Sequence, residues 1–174
     1  VMKDSTAYMV TDMLRDVLTS GTGTRANITG LDIAGKTGTT NFADKEGAKD
    51  SWFAGYTTNY TIAAWAGYQD RQTPMTQMEM ERFDPQELFK QIMSSISSGK
   101  ETANFKRPSS VEEVQIVYKS DPLMRASAST PSSMKRTELF VKGSIPNEVA
   151  KEIKLDAPTN LSANYDAEKN SVTL

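Results

Sequence analysis

Residues 28–41 read Ile-Thr-Gly-Leu-Asp-Ile-Ala-Gly-Lys-Thr-Gly-Thr-Thr-Asn, and this stretch predicts a strand with unusual chemistry. It places one lysine among glycines and threonines. Glycine inside a strand weakens pairing and often marks a place where a ligand or another backbone comes close. Because strand side chains alternate, Thr37 and Thr39 would point to the same side of an extended Lys36–Thr40 segment. A lysine beside two such hydroxyls suits a carboxylate or a phosphate.

The composition of the 174-residue chain allows one domain, or one domain and part of another. Acidic and basic residues nearly balance, at 22 and 20, so the charge indicates neither a nucleic-acid nor a membrane-surface partner. No apolar run approaches the roughly 18 residues of a membrane span. The chain opens directly on a helical pattern without a signal peptide, so we expect a piece of a longer protein.

Histidine and cysteine are both absent from the sequence. Their absence excludes Ser-His-Asp or Cys-His catalysis within this chain, together with histidine or thiolate metal sites and disulfides. Acid–base chemistry would therefore fall to lysine, tyrosine or a carboxylate. We expect no cofactor and no bound metal.

Hydrophobic periodicity predicts an α+β fold in which helices flank an antiparallel sheet. Apolar residues recur at helical spacing over 4–19. Aromatic-rich runs at 51–57 and 60–69 are joined by a short link, and with the opening strand they predict a three-stranded antiparallel meander. We expect Trp52 and Trp65, which lie in these runs, to belong to the core.

A second helix is predicted to start at Asp84. Asp84 suits the N-cap, Pro85 suits the first helical position, and Glu87 lies three residues after the cap. An apolar stripe follows and ends at Gly99.

The composition predicts three regions. Residues 1–105 hold the α+β part. Residues 106–154 are rich in serine, proline, threonine and charge, and predict a tail or linker with little regular structure. Residues 155–174 predict the truncated start of a β-sandwich module of the fibronectin III type.

The segment Gly30–Thr37 also fits the phosphate-binding pattern G-x-x-x-x-G-K-[ST]. That pattern requires a glycine-rich loop and a helix that starts at the lysine. Here the spacer residues suit a strand, and the Thr-Gly-Thr-Thr-Asn run after Lys36 cannot start a stable helix. A P-loop nucleotide-binding fragment is therefore the least favoured alternative.

Lys36-Thr37-Gly38 also fits the third element of the serine acyl-transferase signature S-x-x-K, S-x-N and K-T-G. Its surroundings make the match specific, because residues 34–41, 50–57 and 64–68 together resemble the class A penicillin-binding proteins. Residues 14–24 are similar to the helix and turn that precede this strand in that family. The resemblance runs from about residue 2 to residue 100, and the remainder is similar to the C-terminal region of Gram-positive members.

The resemblance implies the C-terminal part of a penicillin-binding, serine-β-lactamase-like transpeptidase domain. In that family a serine attacks the penultimate D-Ala carbonyl of a peptidoglycan stem peptide ending in D-Ala-D-Ala. An amine of a second stem then resolves the acyl-enzyme and completes the cross-link. β-Lactam antibiotics acylate the same serine.

Carried over residue by residue, the resemblance implies roles for the segment Lys36–Thr40. Lys36 would supply positive potential and relay a proton, while Thr37 and Thr39 would hold the substrate carboxylate. The backbone N–H of Thr39 would be one oxyanion-hole donor. Gly38 and Thr40 complete the substrate-binding segment.

The sequence departs from the family because the nucleophilic serine and the S-x-N element would lie upstream of Val1. Ser132–Lys135 and Ser162–Asn164 fit these patterns, but both follow Lys36 and we assign neither a role. We therefore expect the chain alone to be inactive and to need the upstream part of the same protein. A glycosyltransferase domain and a membrane anchor would also lie upstream, placing the protein on the outer face of the cytoplasmic membrane. The alternative is a non-catalytic module that binds cell-wall peptides.

Overall fold

The protein is described by a computed structural model that covers residues 2–70, 72–82, 84–151 and 163–173. The chain divides into two compact units, Val1–Glu112 and Glu113–Leu174. Each unit is described by itself below. No helix among the described residues is both long and apolar enough to cross a membrane.

The first unit is built on a three-stranded antiparallel sheet in the order β1–β2–β3. These strands are β1 (Ala34–Asn41), β2 (Ala48–Tyr56) and β3 (Thr61–Gly67). Thr37 lies opposite Phe53, which in turn lies opposite Ala64. The sheet is the meander that the aromatic runs predicted, and the α+β fold class is confirmed.

The described part of this unit also contains the α-helices α1 (Asp4–Thr19), α2 (Gln77–Arg82) and α3 (Pro85–Ser97). Helix α1 packs against β1, and α3 packs against β2 and β3. The bounds of α1 agree with the predicted amphipathic segment. Helix α3 starts as predicted, because the Asp84 carboxylate accepts a hydrogen bond of 2.8 Å from the Gln86 N–H and Pro85 is the first helical residue.

The hydrophobic core lies on one face of the sheet and is centred on Phe53, which is fully buried. The Phe53 ring meets the Phe89 ring of α3 edge to face, with 4.8 Å between ring centroids. A Cβ added to Gly35 would lie 2.7 Å from Phe53 Cζ, so the ring occupies space that only glycine leaves open. The other buried residues of this cluster are Leu18, Ala26, Ile33, Ala64 and Met93.

The opposite face of the sheet carries Trp52 and Trp65, and here the sequence prediction is wrong. Both side chains were expected in the core, yet they are 43% and 41% exposed. They lie opposite each other on β2 and β3, with ring centroids 6.3 Å apart. Because strand side chains alternate, the burial of Phe53 turns the neighbouring Trp52 to the other face.

The region 106–154 contains more regular structure than the predicted tail. Strand β4 (Val111–Val117) pairs with β5 (Lys135–Val141) in a two-stranded sheet. A short 3₁₀ helix, Ser132–Met134, precedes β5. The serine-rich segment before β5 gave no local signal for this pairing, which joins residues about 20 positions apart in the sequence.

The C-terminal residues form a short hairpin of β6 (Asn164–Asp166) and β7 (Ser171–Thr173), which pair antiparallel. This hairpin lies within the region predicted to begin a β-sandwich module. Residues 155–162 of that region lie outside the described residues, and the module remains a prediction.

Replacing Asp84 with alanine should destabilise the first unit. The substitution removes the helix cap and the partner of Arg25, whose guanidinium lies 2.9 Å from the Asp84 carboxylate. We expect the free energy of unfolding to fall by about 1–2 kcal/mol in urea denaturation, since a cap contributes about 1 kcal/mol and an ion pair with one exposed partner about 1 kcal/mol or less. Asp84→Asn keeps the capping oxygen, so it should cost clearly less. Equal losses in the two variants would contradict this account of the cap.

Candidate functional site

The predicted site residues all lie on β1, which is an edge strand of its sheet. Among the described residues, β1 pairs with β2 on one side and with no strand on the other. An edge strand presents a row of backbone N–H and C=O groups that another extended chain can pair with. The segment Lys36–Thr40 therefore offers backbone groups as well as side chains to a ligand.

Lys36 brings its positive charge directly to Thr37. The side chain of Lys36 is exposed, and its Nζ donates to the Thr37 carbonyl oxygen at 3.0 Å and to Thr37 Oγ1 at 3.1 Å. No carboxylate among the described residues forms an ion pair with this ammonium. The charge is thus available to an incoming anion.

Thr22 also reaches this site, and sequence reasoning missed it as a site residue. Thr22 Oγ1 lies 2.8 Å from Thr37 Oγ1, within hydrogen-bond distance. The sequence signal is the Gly-Thr-Gly-Thr run at residues 21–24, which predicts a turn but does not indicate which distant residue Thr22 contacts. Two segments far apart in the sequence therefore meet at the Thr37 hydroxyl.

Thr39 and Thr40 extend the polar segment along the strand. Both side chains are exposed, and neither hydroxyl has a hydrogen-bond partner among the described residues. Thr39 shares a side of the strand with Thr37, while Thr40 shares the other side with Lys36. Between them, Gly38 is open, because a Cβ there would meet only Trp52 Cβ at 3.4 Å.

These groups can bind an anion, and the geometry suits a carboxylate. They provide an ammonium, several hydroxyl donors and a free strand edge within a few residues. Within the described part of the chain no cluster of acidic side chains could hold a metal ion. The Ser132 match to S-x-x-K lies in a single 3₁₀ turn, with Lys135 already in β5, so this pair does not share a helix face.

A groove of about 840 Å³ lies at the β3 side of the sheet. Its lining is rich in carboxylates, so it is unsuited to an anion. Glu79, Glu81, Asp84 and Glu87 line it, together with aromatic side chains and Arg25. The hydrogen bond that the Tyr68 hydroxyl donates to Glu79 lowers the pKa of Glu79 and raises the pKa of Tyr68. Glu79 therefore keeps its negative charge at neutral pH.

Comparison with protein families identifies two matching regions. Residues 1–94 match the penicillin-binding protein transpeptidase domain. Residues 107–154 match the C-terminal domain of penicillin-binding protein 1A.

Two proteins similar to this chain are penicillin-binding proteins from Gram-positive bacteria. Penicillin-binding protein 1A/1B of Bacillus subtilis (strain 168) is 37% identical over an alignment 189 positions long, gaps included, which covers 99% of this chain and 20% of that protein. Penicillin-binding protein 1A of Streptococcus pneumoniae (strain ATCC BAA-255 / R6) is 48% identical over 84 residues, which cover 42% of this chain and 12% of that protein. The chain thus spans about a fifth or less of the length of these curated relatives.

Two solved structures extend the comparison. PonA1 from Mycobacterium tuberculosis in complex with penicillin V has a TM-score of 0.52 and 28% identity, covering 60% of this chain and 29% of that chain. Penicillin-binding protein 1A from Haemophilus influenzae has a TM-score of 0.61 and covers 87% of this chain and 22% of that chain. At 21% identity the second likeness supports the fold alone.

Gly35 and Gly38 of β1 should respond differently to alanine. A Cβ on Gly35 would clash with Phe53 Cζ at 2.7 Å and with the Ala54 carbonyl oxygen at 2.9 Å. We expect Gly35→Ala to lower the free energy of unfolding by about 1–3 kcal/mol through overpacking. Gly38→Ala meets no such contact and should change it by less than about 0.5 kcal/mol in urea denaturation. Similar losses at the two positions would contradict the packing described for Phe53.

Proposed function

The chain belongs to the penicillin-binding protein transpeptidase family, and we propose that it supplies the Lys-Thr-Gly strand to the active site of a class A peptidoglycan D,D-transpeptidase. The resemblance noted in the sequence and the partial transpeptidase fold are confirmed by the matching families and structures. The observation that carries the proposal is the Lys36 ammonium held 3.1 Å from Thr37 Oγ1 at a free strand edge.

In the proposed reaction, a serine joins the carbonyl of the penultimate D-Ala of one stem peptide and releases the terminal D-Ala. An amine of a second stem then displaces the serine and forms the cross-link. A β-lactam would enter the same site and acylate the serine. The complex of the similar PonA1 protein with penicillin V supports this ligand class.

The first role proposed for this chain is to hold the substrate's terminal carboxylate. Thr37 and Thr39 lie on the same side of β1, and a carboxylate can accept a hydrogen bond from each hydroxyl. The Lys36 ammonium adds a nearby positive charge, which strengthens such bonds. Gly38 and Thr40 belong to the same binding segment, since the open space at Gly38 lets a ligand approach the backbone.

The second proposed role is to stabilise the oxyanion through the backbone N–H of Thr39. The Thr37 carbonyl oxygen accepts a hydrogen bond from Lys36 Nζ. We infer from this bond that the Thr37 carbonyl faces the free edge of β1. Backbone groups of an antiparallel strand alternate between its two edges, so those of Thr39 would face the same way as those of Thr37. An N–H donor in this position acts on the charge that develops during acyl transfer. Lys36 would also relay a proton during this step.

The third element of the proposal is a partner, the upstream part of the same protein. This part would carry the nucleophilic serine of S-x-x-K and the S-x-N element. The sheet face with Trp52 and Trp65 offers it a surface, because both rings are more than two-fifths exposed and a sheet is normally covered on its apolar faces. The chain alone would then bind substrate weakly and form no acyl-enzyme.

The setting of the intact protein is also a proposal. As in the class A family, a glycosyltransferase domain and a membrane anchor would lie upstream. The transpeptidase would then work on the outer face of the cytoplasmic membrane, where peptidoglycan is cross-linked. Nucleic acid has no part in this function.

The alternative is a non-catalytic module that uses the same strand edge to bind cell-wall peptides. It is favoured only by the free edge of β1, which can hold an extended peptide without further chemistry. A P-loop function is disfavoured, because Lys36 lies inside β1 and no helix begins there.

Fluorescent penicillin labelling tests the proposal on two forms of the protein, the 174-residue chain and the chain extended upstream by about one domain length. We expect only the extended protein to be labelled. Lys36→Ala in the extended protein should slow labelling by about a hundredfold or more, the usual effect of removing one electrostatic contact to the transition state. Lys106→Ala is the matched control, because Lys106 is an exposed lysine of the same unit.

The other outcomes separate the competing functions. A folded extended protein that binds stem peptide but is never labelled would favour the binding module. Labelling of the 174-residue chain by itself would mean that one of its own serines is the nucleophile, and the role assigned to the upstream part would be wrong. Equal effects of the Lys36 and Lys106 substitutions would remove the role proposed for Lys36.

A further inference from the structure

We propose that Thr22 is a positioning residue that directs the hydroxyl proton of Thr37 toward the carboxylate of the bound substrate. Thr22 lies outside the Lys-Thr-Gly motif and comes from the turn after α1. The inference rests on the proposed function, because it assumes that Thr37 binds a carboxylate. It adds a second segment of the chain to the site.

The turn that carries Thr22 is folded tightly onto the last turn of α1. The backbone N–H groups of Ser20 and Gly21 both donate to the Asp16 carbonyl, at 2.9 Å and 3.1 Å. The N–H of Gly23 donates to the Val17 carbonyl at 2.9 Å. The backbone on both sides of Thr22 is therefore anchored to the helix.

Glycine on each side of Thr22 suits this close fit. A Cβ on Gly21 would lie 2.8 Å from Val17 Cα, and a Cβ on Gly23 would lie 3.0 Å from Val17 Cγ1 and 3.2 Å from Phe53 Cε2. The two glycines are thus pressed against the helix end and the core. Thr22, which is exposed between them, extends to Thr37.

The hydrogen-bond capacity of Thr37 explains what Thr22 can do. A hydroxyl group has one proton and accepts two hydrogen bonds. Lys36 has only donors, so Thr37 Oγ1 must accept in its contact with Lys36. If Thr22 donates to Thr37 Oγ1, both acceptor positions are filled and the Thr37 proton is left for a third partner.

That third partner is a carboxylate in the proposed complex. A carboxylate accepts hydrogen bonds and has no proton to donate, so it needs the Thr37 hydroxyl as a donor. Without Thr22, one acceptor position of Thr37 is empty and the hydroxyl can rotate between several directions. The loss should therefore appear in the binding of ligands that carry a carboxylate.

The test compares benzylpenicillin with its methyl ester on the full-length protein. The second-order rate constant of acylation is measured for the unaltered protein and for Thr22→Val, which has a similar shape but no hydroxyl. We expect Thr22→Val to lower this constant about tenfold for benzylpenicillin, as expected for one hydrogen bond to a charged group. For the ester we expect the rate constant to change by less than about twofold, as for a surface substitution that removes no important contact.

Two further variants separate positioning from folding. Thr22→Ser keeps the hydroxyl and should restore acylation by benzylpenicillin to near the original rate. Thr24→Val alters the other exposed threonine of the same turn, whose side chain has no hydrogen bond among the described residues, and should have no effect. The loss in Thr22→Val should lie in the dissociation constant of the initial complex more than in the acylation step.

Each remaining outcome overturns the inference. An equal loss with benzylpenicillin and the ester would show that Thr22 acts on the fold. No loss in Thr22→Val would show that Thr37 needs no such partner. If the unaltered, folded protein is acylated by neither compound, the proposed function itself fails. If it is acylated equally fast by both, the carboxylate role of Thr37 fails and that of Thr22 fails with it.

Discussion

The packing of the Phe53 ring between the sheet and α3 is the interaction on which the rest of the first unit depends. The ring is fully buried, and it fills space left open by Gly35 and Gly55, where an added Cβ would come within 3 Å of it. Because Phe53 lies opposite Thr37 on β1, its burial also decides which way Thr37 points. If β1 paired with β2 one residue out of register, every side chain of β1 would point to the other face of the sheet. The position of the proposed binding groups is therefore a consequence of core packing.

The same packing explains why the site collects residues from separate segments. The N–H of Gly23 donates to the Val17 carbonyl, and a Cβ on Gly23 would lie 3.2 Å from Phe53 Cε2, so the turn after α1 lies close to the same part of the core as β1. Arg25 then joins this turn to Asp84 at the start of α3. The groups that surround Thr37 are thus fixed by contacts made away from the proposed ligand site. Preorganisation of this kind lowers the ordering cost of binding.

Local signals in the sequence predicted much of the fold and the main site segment. Helix α1 and the cap of α3 could be predicted because periodicity and capping depend on residues within a few positions of each other. Lys36–Thr40 was recognisable because its chemistry lies in one continuous run. The exposure of Trp52, the strand β5 and the contact between Thr22 and Thr37 could not be predicted in this way. Each depends on which distant residues become neighbours, and composition alone does not contain that information.

The free edge of β1 has a further consequence for how two copies of this chain would meet. Unpaired strand edges are templates for the growth of intermolecular sheets, and charged side chains on an edge oppose such growth. Lys36 is exposed on this edge, so two antiparallel copies joined there would bring like charges together. Lys36, which is proposed to attract a carboxylate to this strand, would thus also oppose aggregation through the strand edge.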